Sequence, residues 1–443
     1  MAMAENADPQ FRTEDTIFQS TAGMPGRFAS NFDFQLAGVL GAAQSGGAAV
    51  GECYATIAKV KDGDLRGWSD AWEETAARIE ETASKCESEG HAISAADAYL
   101  RASTYWRTAG FFLERDDENR IAFWNRHRQT FRSSVRLAGV PCEAIDIPFE
   151  NGKALPGYFV KASDTMEPRA TAIIIGGGDS TAEEHYVFTG AAAVRRGYNA
   201  LLVDIPGQRS AYYSDPDLTF RPDTDVQLRY VVDYALSRAD VKPEHLSLTG
   251  YSMGGLFVAR AVAGEKRIKA AVASCLTPSF VPGIMSLLGL DPNEPYADRT
   301  DLDSLADQAS PMARLLLGDV RERFGMLDRP VRDYLDYLKE FDLWGLADKI
   351  TCPILNIGGE GEGSLFAESH RFYELLKGPK RERLIKESEG GEAHTAVNNR
   401  NLANQIEFDF LNDAFSETAM TIASDELANS PVSHNRLPRL MRA

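Results

Sequence analysis

The chain has 443 residues, 44% hydrophobic and 25% charged, with a formal net charge of -18. That length accommodates one large α/β domain and an accessory domain. The acidity argues against an extended surface for nucleic acid or anionic lipid, which requires clustered Lys and Arg, and names no partner; a small-molecule substrate is expected from the motifs below.

The five cysteines, Cys53, Cys86, Cys142, Cys275 and Cys352, are scattered and form no CxxC pair. They predict neither a disulfide framework nor a zinc site, and a reduced, cytoplasmic protein. The opening MAMAENADPQFRTED is polar and acidic where a secretory signal is basic and then apolar. No run reaches the roughly 18 apolar residues of a membrane span.

Along the chain, residues 1–25 and 416–443 lack sustained periodicity and read as mobile tails. Residues 26–140 contain no proline, and ISAADAYLRASTYWRTAGFFL places Ala95, Tyr99, Ala102, Trp106 and Ala109 at helical spacing. A helical accessory or cap domain is expected there. From Pro141 the character changes. CEAIDIPFE and KALPGYFVKA read as strands, followed by ATAIIIGGG, YNALLVDIPG, LSLTG, KAAVASC and CPILNIGG, with helical stretches between them. Residues 141–415 therefore predict an α/β domain with a mostly parallel sheet covered on both faces. A helical insertion at about 276–348 would stand as a lid over the C-terminal ends of the strands, where open α/β sheets bind ligands.

The chemistry centres on Gly250-Tyr251-Ser252-Met253-Gly254, a G-x-S-x-G turn between a strand and a helix. Such a turn holds a serine in a strained conformation that only small neighbours tolerate. A serine nucleophile needs a base, and His394, after the last strand-like run ERLIKES, is the candidate. The acid belongs after CPILNIGG, where Glu360 and Glu362 both stand, and the usual register selects Glu362. Two backbone N–H groups must hold the oxyanion. Met253 supplies one, and Gly178, in the Gly176-Gly177-Gly178 loop, the other. That loop lacks both phosphate-binding and dinucleotide-binding spacing. Tyr105, Trp106 and Phe111 are candidates to line a substrate roof, or equally to pack between helices.

These motifs identify the chain as resembling the α/β-hydrolase superfamily. GGGDSTAEE, DIPGQ, GYSMGG, GGEAHTAVNN and GHAISAADAYLRASTYWRTAGFFL narrow the resemblance to the group containing 2,6-dihydroxypseudooxynicotine hydrolase and the fungal heptaketide hydrolases. The resemblance spans residues 80 to 415. It implies serine-dependent cleavage of a carbon–carbon bond in a β-dicarbonyl, polyketide or aryl ketone, by a homodimer, without metal or organic cofactor. It also implies that Asp179 lies near the substrate, although Asp179 or Ser180 would serve equally as a helix N-cap. Tyr251, beside the serine, and Arg209, which replaces the glycine of the commoner Pro-Gly-Gln-Gly turn, join Asp179 as substrate-side candidates. Ester or thioester hydrolysis, acyl transfer, and a non-catalytic receptor on the same fold are the alternative functions.

Overall fold

The computed structural model describes residues 32–292 and 294–429, with side chains described to residue 416. Five helices lead: α1 (Phe32–Ala42), α2 (Val50–Ile57), α3 (Leu65–Ser88), α4 (Ala92–Ala109) and α5 (Asn119–Leu137). Asp64 caps α3 by accepting the Gly67 amide at 2.8 Å. The alanine stripe expected of α4 faces inward, with Ala95, Ala102 and Ala109 all fully buried. Small side chains on α4 let α3 and α5 approach closely. Large residues fill the seam, where Trp68 and Trp72 of α3 and Tyr105 of α4 share one core with Phe32 and Phe112. Two bonds lock the layer: Trp68 Nε1 donates to the Thr108 carbonyl at 3.1 Å and Ser69 Oγ to the Ala109 carbonyl at 2.8 Å.

The strands follow: β1 (Cys142–Pro148), β2 (Ala154–Val160), β3 (Arg169–Ile175), β4 (Asn199–Val203), β5 (Val241–Tyr251), β6 (Ala270–Ser274), β7 (Ile354–Gly359) and β8 (Lys380–Ile385). They form one eight-stranded sheet in the order β1-β2-β4-β3-β5-β6-β7-β8. The pairs β1·β2 and β2·β4 are antiparallel and all others parallel. The expected mostly parallel α/β sheet is therefore present.

Burial of both faces explains why its central strands read as unbroken apolar runs. On β3, Ile173 and Ile175 enter one core and Ala172 and Ile174 the opposite one. On β4, Leu201 and Val203 point one way and Ala200 and Leu202 the other. Between β6 and β7 the described residues form the helices Val281–Leu287, Leu302–Gln308, Pro311–Arg323 and Val331–Leu338, and the first and third of these share a cavity with Ser252 and Cys275, which follow β5 and β6. The last helix runs Arg400–Asn429, past residue 416. The expected tail over 1–25, and residues 430–443 of the other, lie outside the described residues. No helix among them is long and apolar enough to cross a membrane.

Candidate active site

Ser252 sits between β5 and the helix Met253–Gly264 with φ 56° and ψ -123°. A side chain rarely adopts that backbone region, and holding it there costs on the order of 1–3 kcal/mol unless the surroundings enforce it. The glycines provide the enforcement. A Cβ on Gly250 would lie 2.4 Å from the Gly254 carbonyl oxygen, and one on Gly254 would lie 2.5 Å from that of Gly176. Only bare backbones let β5, the helix and the β3 loop pass this closely.

His394 Nε2 lies 2.9 Å from Ser252 Oγ, and its Nδ1 lies 2.7 Å from Glu362 Oε1. Because a carboxylate only accepts, Nδ1 carries the proton and Nε2 accepts from the serine hydroxyl. Glu362 is 5% exposed, and it also accepts the amides of Thr395 and Gly359 at 3.0 and 3.2 Å. Glu360 is exposed, and accepts the Glu387 amide instead. The turn brings Glu362, not Glu360, to the histidine. It does so through Gly363, whose φ of 54° reverses the chain. The histidine loop is strained too, with positive φ at Thr395 and Ala396. Buried Arg400 fastens it by donating to the Thr395 carbonyl at 2.7 Å.

The amides of Met253 and Gly178 make no hydrogen bond among the described residues. Gly177 instead donates to Ser180 Oγ at 3.0 Å. The two glycines beside Ser252 are thus distinguished, one amide engaged within its loop and the other available. Gln208 holds this loop by donating to the Gly176 carbonyl and accepting the Ile205 amide.

Asp179 borders two cavities that meet at Ser252 and His394. Neither Asp179 nor Ser180 caps a helix, as the alternative reading expected; Thr181 does so, accepting the Glu184 amide. Arg209 is 9% exposed and donates to the Asp179 carbonyl at 2.9 Å and to Tyr213 Oη at 2.7 Å. Tyr251 lines one cavity, but its hydroxyl is bonded to Thr189 and its ring lies under Arg400.

Tyr105 and Trp106 border neither of these two cavities, although Trp106 lines a neighbouring one with Arg107, Phe111 and Arg209. They project from the face of α4 that meets its neighbouring helices. Tyr105 Oη donates to Glu52 at 2.7 Å and its ring packs on Trp72, while Trp106 Nε1 donates to Glu80 at 2.7 Å and its ring packs on Phe123. Phe111 does border the site. Sequence reasoning missed Phe34, whose ring centroid lies 6.2 Å from that of His394, together with Gln35, Arg107 and Glu184. Thr104, Arg107 and Thr108, a polar i, i+3, i+4 set on α4, were the available signal.

Cys275, Glu362 and His394 bring ligand-type atoms within 4.8 Å of one another. The set suits a metal poorly. Burial pushes the Cys275 thiol well above its ordinary range, so it keeps its proton, and Glu362 Oε1 is already shared by His394 and Thr395.

The family described as esterase FrsA-like matches residues 46–287, more than half the chain. The chain belongs to this family of α/β hydrolases. Among its relatives, the α/β hydrolase xenA of Xenoacremonium sinensis is 31% identical over 362 residues, 75% of this chain and 82% of that protein. The 20-hydroxy-prefusarin hydrolase FUS2 of Gibberella moniliformis is 32% identical over 263 residues, 57% of this chain and 62% of its own. The solved structure of 2,6-dihydroxy-pseudo-oxynicotine hydrolase superposes with a TM-score of 0.64 over 85% of this chain and 95% of that one. At 19% identity it establishes the shared α/β-hydrolase fold.

Proposed function

We propose that this α/β hydrolase breaks a carbon–carbon bond in a β-dicarbonyl, polyketide or aryl-ketone substrate through a seryl acyl-enzyme. The observation that carries this reading is the hydrogen-bonded run from Ser252 Oγ through His394 to Glu362, on a serine at positive φ. His394 Nε2 takes the Ser252 proton as Oγ adds to the ketone carbon. The amides of Met253 and Gly178 hold the developing oxyanion. On collapse the carbon–carbon bond breaks, its electron pair leaves on carbon, and the proton held by His394 is delivered to the expelled fragment. That pair is tolerable only where a neighbouring carbonyl or electron-rich ring delocalises it. Water, activated by His394, then releases the acyl group as a carboxylic acid. Asp179, at the meeting of the two cavities, is a substrate-side group.

The named substrate of FUS2, 20-hydroxy-prefusarin, is in keeping with a small molecule as the reactant. The reading carries with it a cytoplasmic homodimer, a helical domain over 26–140, and an insertion at about 276–348 that together roof the substrate of the domain at 141–415.

Ester or thioester hydrolysis by the same groups is the second reading, favoured by the esterase FrsA-like description of the family. An aryl β-diketone incubated in ¹⁸O-water separates the two. Labelled carboxylic acid plus free ketone, with an acyl adduct on Ser252 in single turnover, supports carbon–carbon cleavage. Turnover of activated esters with the diketone untouched replaces it with the second reading.

A further inference from the structure

The serine and histidine stand where two chambers of unlike character meet. The first lies beneath α1 and α4 and sets Gln35, Thr104, Arg107 and Glu184 beside the apolar Phe34 and Val39. The second lies beneath the insertion and is bordered by Phe280, Ile284, Leu287, Leu316, Val320 and Phe324. Ser252, His394 and Asp179 belong to both.

The chambers also differ in which part of the machinery they face. Gly178 and Met253, the oxyanion donors, border only the second, whereas Thr395 and Val397 of the histidine loop border only the first. A carbonyl carbon on Ser252 Oγ carries two substituents that diverge. The one that leaves receives the proton from His394, which borders both chambers, so the character of the two walls decides its side. It also carries away an electron pair, delocalised onto oxygen, and needs polar partners. In the first chamber Arg107 supplies charge, held by Gln35 at 2.8 Å and Glu184 at 3.1 Å. Glu184 Oε2 is buried with no hydrogen-bond partner, so the carboxylate that pairs with Arg107 keeps one oxygen free to accept from the hydroxyl of an enolised head. In the second chamber the charged groups are engaged with one another, Asp319 accepting from Arg209 and Arg323, and most of the remaining wall is apolar.

We propose that the retained acyl half of the substrate is an apolar chain lying beneath the insertion, and that the expelled half is an enolisable, oxygen-bearing head lying beneath α1 and α4. The inference rests on Ser252 being the acylated residue.

The test uses p-nitrophenyl esters with acyl chains of graded length, which place the chain and the leaving group independently. Each variant is first treated with a fluorophosphonate, and the adduct on Ser252 is read by intact mass. Ile284→Trp should lower kcat/KM for long acyl chains relative to short ones by at least about tenfold, the scale on which an apolar pocket senses lost length. Leu287→Trp gives the same reading should the first variant not fold. Val39→Trp, on α1, should lower kcat/KM for all chain lengths together and leave their ranking unchanged. A change in chain-length ranking from Val39→Trp, with none from Ile284→Trp or Leu287→Trp, reverses the two halves and overturns the proposal. Failure of the folded wild-type protein to take the label at Ser252 overturns the acyl-enzyme itself, an outcome distinct from a reversed assignment.

Discussion

Ser252 keeps its unfavourable backbone because every small neighbour is needed, and this makes single atoms decisive. The Cβ of Gly254→Ala would meet a carbonyl oxygen, not a flexible side chain. The variant should lose stability by about 1–3 kcal/mol, the usual range for overpacking, and should displace the loop that carries Gly178. Denaturation and turnover measured together check it, and an active variant of wild-type stability would show that the close approach is not required. The two glutamates offer a sharper contrast. Glu362→Gln keeps the shape but removes the charge that stabilises an imidazolium, a loss on the order of 10⁴-fold for the corresponding change in the best-studied triad. Glu360→Gln alters an exposed group that accepts the Glu387 amide and lies away from His394, and should leave turnover near normal. Ser252→Ala and His394→Ala should each cost several orders of magnitude, and the double variant little more, because the residues act as one unit. Retention of more than about a tenth of wild-type turnover by either single variant contradicts their roles. Much of this was legible in the sequence, since the strand-to-helix turn marks Ser252 and the chain order usual for such a turn puts the acid and the histidine after later strands. Which amide of the glycine loop stays free was not legible there. It depends on Ser180 engaging one amide, which spacing does not encode.

At the scale of elements, α4 shows where periodicity stops being informative. Its alanine stripe is correctly read as core, yet Ser103 and Thr108 are buried as well, so the helix is covered on more than one side. Hydrophobic period identifies a buried face. It does not say which remaining face meets a second domain, and so it left Trp106 open between core and substrate roof and passed over Arg107. Trp106→Ala should destabilise the protein by about 3–5 kcal/mol, as large aromatic truncations do, while leaving the ranking of substrates unchanged. A changed ranking at unchanged stability would return Trp106 to the site. The insertion is anchored by charge as well as by packing. Asp319, on the helix Pro311–Arg323, pairs with Arg120 of α5 at 2.7 Å and Arg209 at 3.3 Å, and also accepts from Arg323 on its own helix. Arg209 in turn supports the Asp179 carbonyl, next to Gly178. Asp319→Asn leaves three guanidinium groups without their shared carboxylate. Breaking buried pairs of this kind typically costs about 3–5 kcal/mol. A fall in kcat should accompany the stability loss, and partial recovery by Asp319→Glu distinguishes loss of charge from loss of packing.

Across the whole molecule, the sheet could be read from sequence because two buried faces impose apolar runs of strand length, whereas the packing of Phe131 on α5 and of Phe408 and Leu411 on the closing helix against it joins residues far apart in the chain. A polar bond also joins the closing helix to the sheet and gives the fold a dependence on pH. Glu407 is 1% exposed and accepts from Thr249 Oγ1 of β5 at 2.8 Å. Burial pushes its carboxyl from 4.5 up to about 7, despite the opposing charge of Arg400. Between those values the folded chain holds a proton that the unfolded chain has released, so folding takes up a proton and stability falls as pH rises through the interval. A shift of this size corresponds to about 3 kcal/mol by pH 8. Carboxyls held low, such as Asp319 among its guanidiniums, act in the opposite direction, but only below the ordinary carboxylate range. Glu407→Gln removes the titration and keeps an acceptor for Thr249. Urea unfolding should therefore find the variant close to the wild-type protein near pH 5 and progressively more stable than it toward pH 8. Parallel stability profiles for the two proteins across that range would mean that Glu407 is ionised in the folded chain, with Arg400 outweighing its burial.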